Sequence, residues 1–213
     1  MIGAAISLEG TLVRTAPGFE AEAREAVRAT MSVDDATILA ALAADEPSLE
    51  ERNCAAAFRQ QAARLIRARM SAEAGARDLL AALADLALPV AVIGNGYSTT
   101  VHAACEELGF RGVVLPSEDV GARLPSPSAF AAITSALRLP ADRIWFISKD
   151  RAELDAARSL GFETIFVAHD QSLTEALEPL REPYTQSLLA LRYMMRTALE
   201  WRPGHVIVPQ GAE

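Results

Sequence analysis

Between residues 90 and 167 the chain alternates short apolar runs with longer amphipathic stretches. The runs are Val90 to Ile93, Val113 to Leu115, Ile144 to Ile147 and Thr164 to Val167. They are continuously apolar, not alternating, as expected for parallel strands buried on both faces. The stretches between them carry helix punctuation. Ser98 can cap the first and Gly109 end it; Ser126 and Pro127 open the second; Gly161 ends the third. A parallel pair needs a crossover connection, and such crossovers are right-handed. This rhythm therefore demands an α/β fold with a parallel sheet and helices on both faces. The run Ile2 to Leu8, broken by Gly10 and Thr11, adds a further buried strand.

The stretch between the first two strands is too long for a simple crossover. Its pattern is helical throughout. Pro17 can start a helix that runs to Met31, and Asp34 or Asp35 a second with Ile38, Leu39 and Leu42 on one face. Ser48 and Glu51 have capping-box spacing before a long helix that would bury Phe58, Leu65 and Ile66 and end near Met70. A fourth helix carries Leu79, Leu80, Leu83 and Leu86. Residues 15–75 thus read as an inserted helical cap, and residues 1–14 with 76–170 as the core. Residues 171–213 form a tail in which Leu188, Leu189, Leu191, Tyr193, Met194, Met195, Leu199 and Trp201 crowd one expected helix. That helix is expected to pack on the core; the alternative is a homodimer or partner surface.

Charge narrows the functions. A chain of 213 residues with net charge -8 lacks the clustered Lys and Arg that nucleic-acid phosphates require. No apolar run approaches the roughly 18 residues of a membrane span. The amino-terminal segment has no basic region before its short apolar run, so no signal peptide is expected. The two cysteines, Cys54 and Cys105, show no metal spacing and are expected as buried thiols. These features suit a cytoplasmic protein. His102 falls inside a helix, and with His169 and His205 it shows no ligand spacing.

Ligands of open α/β sheets bind at the carboxyl ends of the strands. Four segments lie at such positions: ISLEGTLV from Ile6, VIGNGYS from Val92, GARLPSPSAF from Gly121 and FISKDRAELDAARSLGF from Phe146. In this order they resemble the haloacid dehalogenase-like (HAD) hydrolase superfamily, and most of all its L-2-haloacid dehalogenase branch. The triplet Gly10 to Leu12, the pair Asn95-Gly96, and the stretches PSPSAF and AARSLGF carry the resemblance, over roughly residues 1 to 168. It implies a Rossmannoid core with an inserted helical cap. It also implies a nucleophilic aspartate after the first strand, a hydroxyl after the second, a lysine before the third helix, and acidic groups after the fourth strand. In the phosphatases those acids hold magnesium; in the dehalogenases a Ser/Asn/Asp set serves without metal.

The chain departs from this pattern. Ser7 stands at the nucleophile position and Glu9 at the second acidic position; Gly94 replaces the hydroxyl, while Asn95 matches the dehalogenases. Leu124 replaces the lysine, Ser148 occupies the place of a metal ligand or dehalogenase serine, and Glu153 that of an aspartate. A serine needs an adjacent base, whereas aspartate does not. Magnesium prefers carboxylate oxygens, so neither it nor another cofactor is expected. Lys149, the single lysine, is expected on an exposed loop, the alternative being a replacement cation. Asp150, Glu153 and Asp155 are expected as a solvated loop and helix start. With Thr11, the residues Ser7, Glu9, Gly94, Asn95, Leu124, Ser148, Lys149, Asp150 and Glu153 should line a pocket for a small molecule between cap and core. The expectation is a non-catalytic protein with a binding or assembly role. The alternative is a redirected enzyme acting on a small carboxylate, acyl or phosphate compound through Ser7, Glu9, Asn95 and Lys149.

Overall fold

The computed structural model describes residues 2–15, 18–168 and 171–178. Strand β1 (Gly3–Ser7) comes first, followed by the short β2 (Val13–Arg14). Three helices follow: α1 (Phe19–Met31), α2 (Asp35–Ala43) and α3 (Leu49–Arg69). Then come β3 (Ser71–Ala72), α4 (Ala76–Asp85), β4 (Val90–Gly94), α5 (Ser98–Glu107) and β5 (Val113–Pro116). The remainder is α6 (Ser117–Val120), α7 (Pro127–Leu137), β6 (Ile144–Ser148), α8 (Arg151–Ser159) and β7 (Glu163–Phe166), with short 3-10 helices at Ala141–Arg143 and Leu173–Leu177.

Five strands form one parallel sheet in the order β5-β4-β1-β6-β7. The alternating rhythm of residues 90–167 is thus realised as an α/β fold. β1 is flanked on both sides and wholly buried, which is why its sequence is apolar without alternation. Its side chains still divide by parity. Ala4 and Ile6 enter one apolar cluster with Leu79, Leu83, Val101 and Cys105 from α4 and α5. Ala5 enters the other, with Phe130, Ile133, Leu154 and Ala157 from α7 and α8. In that second cluster Phe130 meets Phe146 edge-on, with centroids 5.1 Å apart.

Local chemistry starts three helices where the sequence marks them, but Ser98 does not cap α5: it is that helix's first residue, and its amide donates to Glu118 Oε2 at 2.7 Å. Ser48 accepts from the Glu51 amide at 3.3 Å, and the Glu51 carboxylate accepts from the Ser48 amide at 2.7 Å. Asp34 accepts from the Thr37 amide at 2.7 Å, and Ser126 caps α7 with Pro127 in its first turn. Helices α1, α2 and α3 enclose their own cluster of Ala23, Val27, Ile38, Ala41, Cys54, Phe58 and Ala62. Where the chain leaves and rejoins the sheet region, β2 pairs antiparallel with β3, matching Val13 to Ala72 and Arg14 to Ser71.

Several details differ from the sequence-based expectations. Leu39 is 51% exposed, because α2 turns Ile38 and Ala41 inward instead. Leu65 and Leu86 are half-buried. The β2–β3 ribbon and α6 have no counterpart among those expectations, since two-residue strands and a four-residue helix carry no periodicity. Pro17, His169, His205 and the expected tail helix lie outside the described residues. Among the described residues, no helix is long and apolar enough to cross a membrane.

Candidate functional site

The chain runs from β1 to β4 and β5 on one side, then to β6 and β7 on the other. Strand order therefore reverses at β1, and the crevice above such a point is where open α/β sheets place ligands. β1 ends there with Ser7, β4 with Gly94 and β6 with Ser148.

Ser7 and Ser148 are 2% and 0% exposed, and Glu153 on the first turn of α8 is 8% exposed. The Ser148 hydroxyl donates to Glu153 Oε2 at 2.8 Å and accepts from the Asp150 amide at 2.9 Å. Burial raises the Glu153 pKa above the usual carboxylate value; hydrogen bonds from Ser148 and Ser7 oppose that, and the charge of Asp150 adds to it. Ser7 thus acts on Glu153 and not on Glu9. Glu153 is not solvated as its neighbours are. Asp150 is exposed and caps α8 by accepting from the Ala152 amide at 2.7 Å, while Asp155 pairs with Arg158 on the surface.

Glu9 turns toward β4 instead. Its Oε2 accepts from the Asn95 amide at 2.9 Å. A Cβ at Gly94 would lie 3.1 Å from Glu9 Oε1 and 3.0 Å from Val101 Cγ2. Glu9 therefore fills space that a side chain at position 94 would need. It stays open to the cleft, yet protein crowds its carboxyl, and that desolvation raises its pKa against the hydrogen bond from Asn95.

Asn95 is committed to the backbone. Its Oδ1 accepts from the Leu124 amide at 2.8 Å and its Nδ2 donates to the Leu124 carbonyl at 3.2 Å. This reciprocal pair ties the loop after β4 to the loop before α7. Arg123 adds a bond to the Asn95 carbonyl at 3.2 Å. The Leu124 side chain is 7% exposed and joins the α7–α8 cluster.

Lys149 is not the exposed loop lysine the sequence suggested. Its side chain is 2% exposed, and its Nζ lies 2.9 Å from Glu73 Oε2. Thr11, 1% exposed, accepts from the Lys149 amide at 3.0 Å. Desolvation works to raise the Glu73 pKa, but hydrogen bonding and charge from Lys149, then Arg14, outweigh it and hold the carboxyl below its usual range. Neither a motif nor a spacing marked Glu73; only the fold brings residues 73 and 149 together.

Two cavities open at this end of the sheet. A cleft of about 840 Å³ is lined by Glu20 and Leu42 from α1 and α2, and by Asn95, Tyr97, Glu118 and Arg123 among others. A smaller one of about 100 Å³ adjoins Glu9, Thr15, Phe19, Asn95 and Thr100. Ser7, Thr11, Gly94, Leu124, Ser148, Lys149, Asp150 and Glu153 line neither. The structure thus separates residues that the sequence motifs group together. Glu9, Asn95 and Gly96 face open space, while Ser7, Ser148 and Glu153 form a closed cluster. Among the described residues, no group of three or more His, Cys, Asp or Glu is arranged to hold a metal.

Sheet order, strand-end site and motif order together define a HAD-type fold, and the chain belongs to the haloacid dehalogenase-like hydrolase family, whose model matches residues 8–161. Among curated proteins it is 24% identical over 104 residues to (S)-2-haloacid dehalogenase 2 of Pseudomonas sp. strain CBS-3. That match covers 47% of this chain and 45% of the relative, so less than half of the relative's length is spanned. A HAD family enzyme of Bacteroides thetaiotaomicron, solved as a magnesium complex, superposes with a TM-score of 0.57 at 16% identity, covering 84% of this chain and 98% of that one. CbbY of Rhodobacter sphaeroides, solved with phosphate, gives 0.57 at 19% identity over 79% of this chain and 87% of its own.

Proposed function

We propose that this chain is a non-catalytic member of its family, with residues 15–75 acting as a cap over a small-molecule cleft and with a binding or assembly role. The observation that carries this is the Ser7–Ser148–Glu153 cluster. Where relatives would present carboxylates to substrate and magnesium, this chain presents two buried hydroxyls, of Ser7 and Ser148, and one buried carboxyl of raised pKa, to which Ser148 donates. Such a donor set does not suit magnesium, which favours several anionic oxygens in octahedral array. Leu124, set in the core, supplies no cation for a developing charge. Asn95, with both amide atoms bonded to residue 124, is a brace and not a free ligand.

Purified protein incubated with a broad panel of phosphate monoesters and 2-haloacids, with and without magnesium, is expected to give no turnover above the buffer rate. Clear turnover of any member, retained through purification and lost on heating, overturns the proposal.

A second reading is favoured by one juxtaposition. The buried Ser7 hydroxyl acts on the Glu153 carboxyl, which could take its proton, so a redirected enzyme acting on a small carboxylate, acyl or phosphate compound is the alternative. Its mark is an activity that Ser7→Ala abolishes and Glu153→Gln reduces about a hundredfold or more.

A further inference from the structure

We infer that Glu73, Lys149 and Arg14 form a latch that fixes the α1–α3 module to the loop after β6, so that the two move as one body. The module joins the sheet region through two linkers, and the latch touches both. Arg14 ends β2 on the outgoing linker; Glu73 directly follows β3 on the returning one. Glu73 Oε1 lies 3.0 Å from an Arg14 guanidinium nitrogen, and its Oε2 lies 2.9 Å from Lys149 Nζ. The Glu73 amide donates to the Leu12 carbonyl at 2.9 Å, crossing the linkers once more.

Burial makes the Lys149 arm decisive. Side chains of Lys149 and Glu73 are 2% and 9% exposed, whereas Arg14 is 75% exposed. An exposed pair contributes little, but parting a buried one leaves a desolvated charge without a partner. Lys149 is also held through its backbone, since Thr11, four residues after Ser7, accepts from its amide. Three segments therefore converge on one residue pair: the turn after β1, the neck ribbon and the loop that carries Ser148 and leads to Glu153. Swinging the module outward would draw Glu73 away from Lys149. The chain's single lysine is thereby a positioning residue, engaged through Glu73 and aimed at no cavity described above. This holds whether or not the cleft supports turnover.

The test is a distance distribution across the neck. Leu39 on α2 and Leu160 after α8 are 51% and 39% exposed and serve as label sites in Leu39→Cys/Leu160→Cys, because Cys54 and Cys105 are buried. Pulsed electron spin resonance on the spin-labelled full chain should give one narrow distribution. Lys149→Met and Glu73→Gln should each broaden it or add a longer component, and amide exchange at 12–15 and 70–75 should rise about tenfold or more. The double variant should exceed neither single one, and Lys149→Arg should stay narrow. Unchanged distributions and exchange in folded Glu73→Gln overturn the latch. Should Lys149→Met fail to fold, the isosteric Glu73→Gln decides between the outcomes alone.

Discussion

Ser7 and Glu9 lie two residues apart, yet they serve different neighbours. Ser7 joins the closed cluster around Glu153, and Glu9 crosses to the end of β4. The absent side chain at Gly94 and the extra methylene of Glu9 over an aspartate complement each other in space. Gly94→Ser should therefore destabilise by about 1–3 kcal/mol, as overpacking does. Adding Glu9→Ala should relieve part of that cost, and a double-mutant cycle in urea would show the coupling; strict additivity would deny the contact. The thiols give a second prediction at this scale. Burial, with the charges of Glu9 and Glu106, pushes the Cys105 thiol up to about 12. Cys105 should therefore resist iodoacetamide at pH 8 until the chain unfolds, as followed by mass spectrometry.

The starts of α2, α3 and α7 were legible because capping is local, whereas α5 starts without the cap expected of Ser98. Ser48, Glu51, Asp34 and Ser126 act within three residues of themselves. Ser48→Ala should accordingly cost about 1 kcal/mol in thermal or urea melts. The face of α2 was not legible. Ile38, Leu39 and Leu42 are all apolar, so the sequence holds no preference between faces. Packing against α3 made the choice, leaving Leu39 outside. The β2–β3 ribbon is of the same kind, since each strand exists only because the other lies opposite.

At the scale of the molecule, buried carboxyls set the response to pH. Glu153 has a raised pKa, so between 4.5 and its raised value the folded chain holds a proton that the unfolded chain has released. Stability must fall as pH climbs through that window. Glu73 has a lowered pKa, so its contribution is present above 4.5 and is lost as pH falls through the lowered value. Urea midpoints from pH 3 to 8 should show both trends. Glu153→Gln should lessen the decline with rising pH, to which Glu9 also contributes, and Glu73→Gln should lessen the acid loss, which Asp34 and Glu51 share. Profiles unchanged by either variant would contradict these assignments.

The parallel α/β architecture, the helical insertion and the set of strand ends that meet at one crevice were all written in sequence. Strand burial, capping and crossover handedness depend on short-range patterns that a chain carries with it. Motif order also put Ser7 and Leu124 at the positions where the resemblance implies a carboxylate and a lysine. Partner choice was different. That Ser7 answers to Glu153, Glu9 to Asn95, and Lys149 to Glu73 was decided only in three dimensions, across separations of up to 146 residues. Hydrogen bonds and ion pairs are satisfied by whatever the packed backbone brings within about 3 Å, and no local pattern encodes that distance.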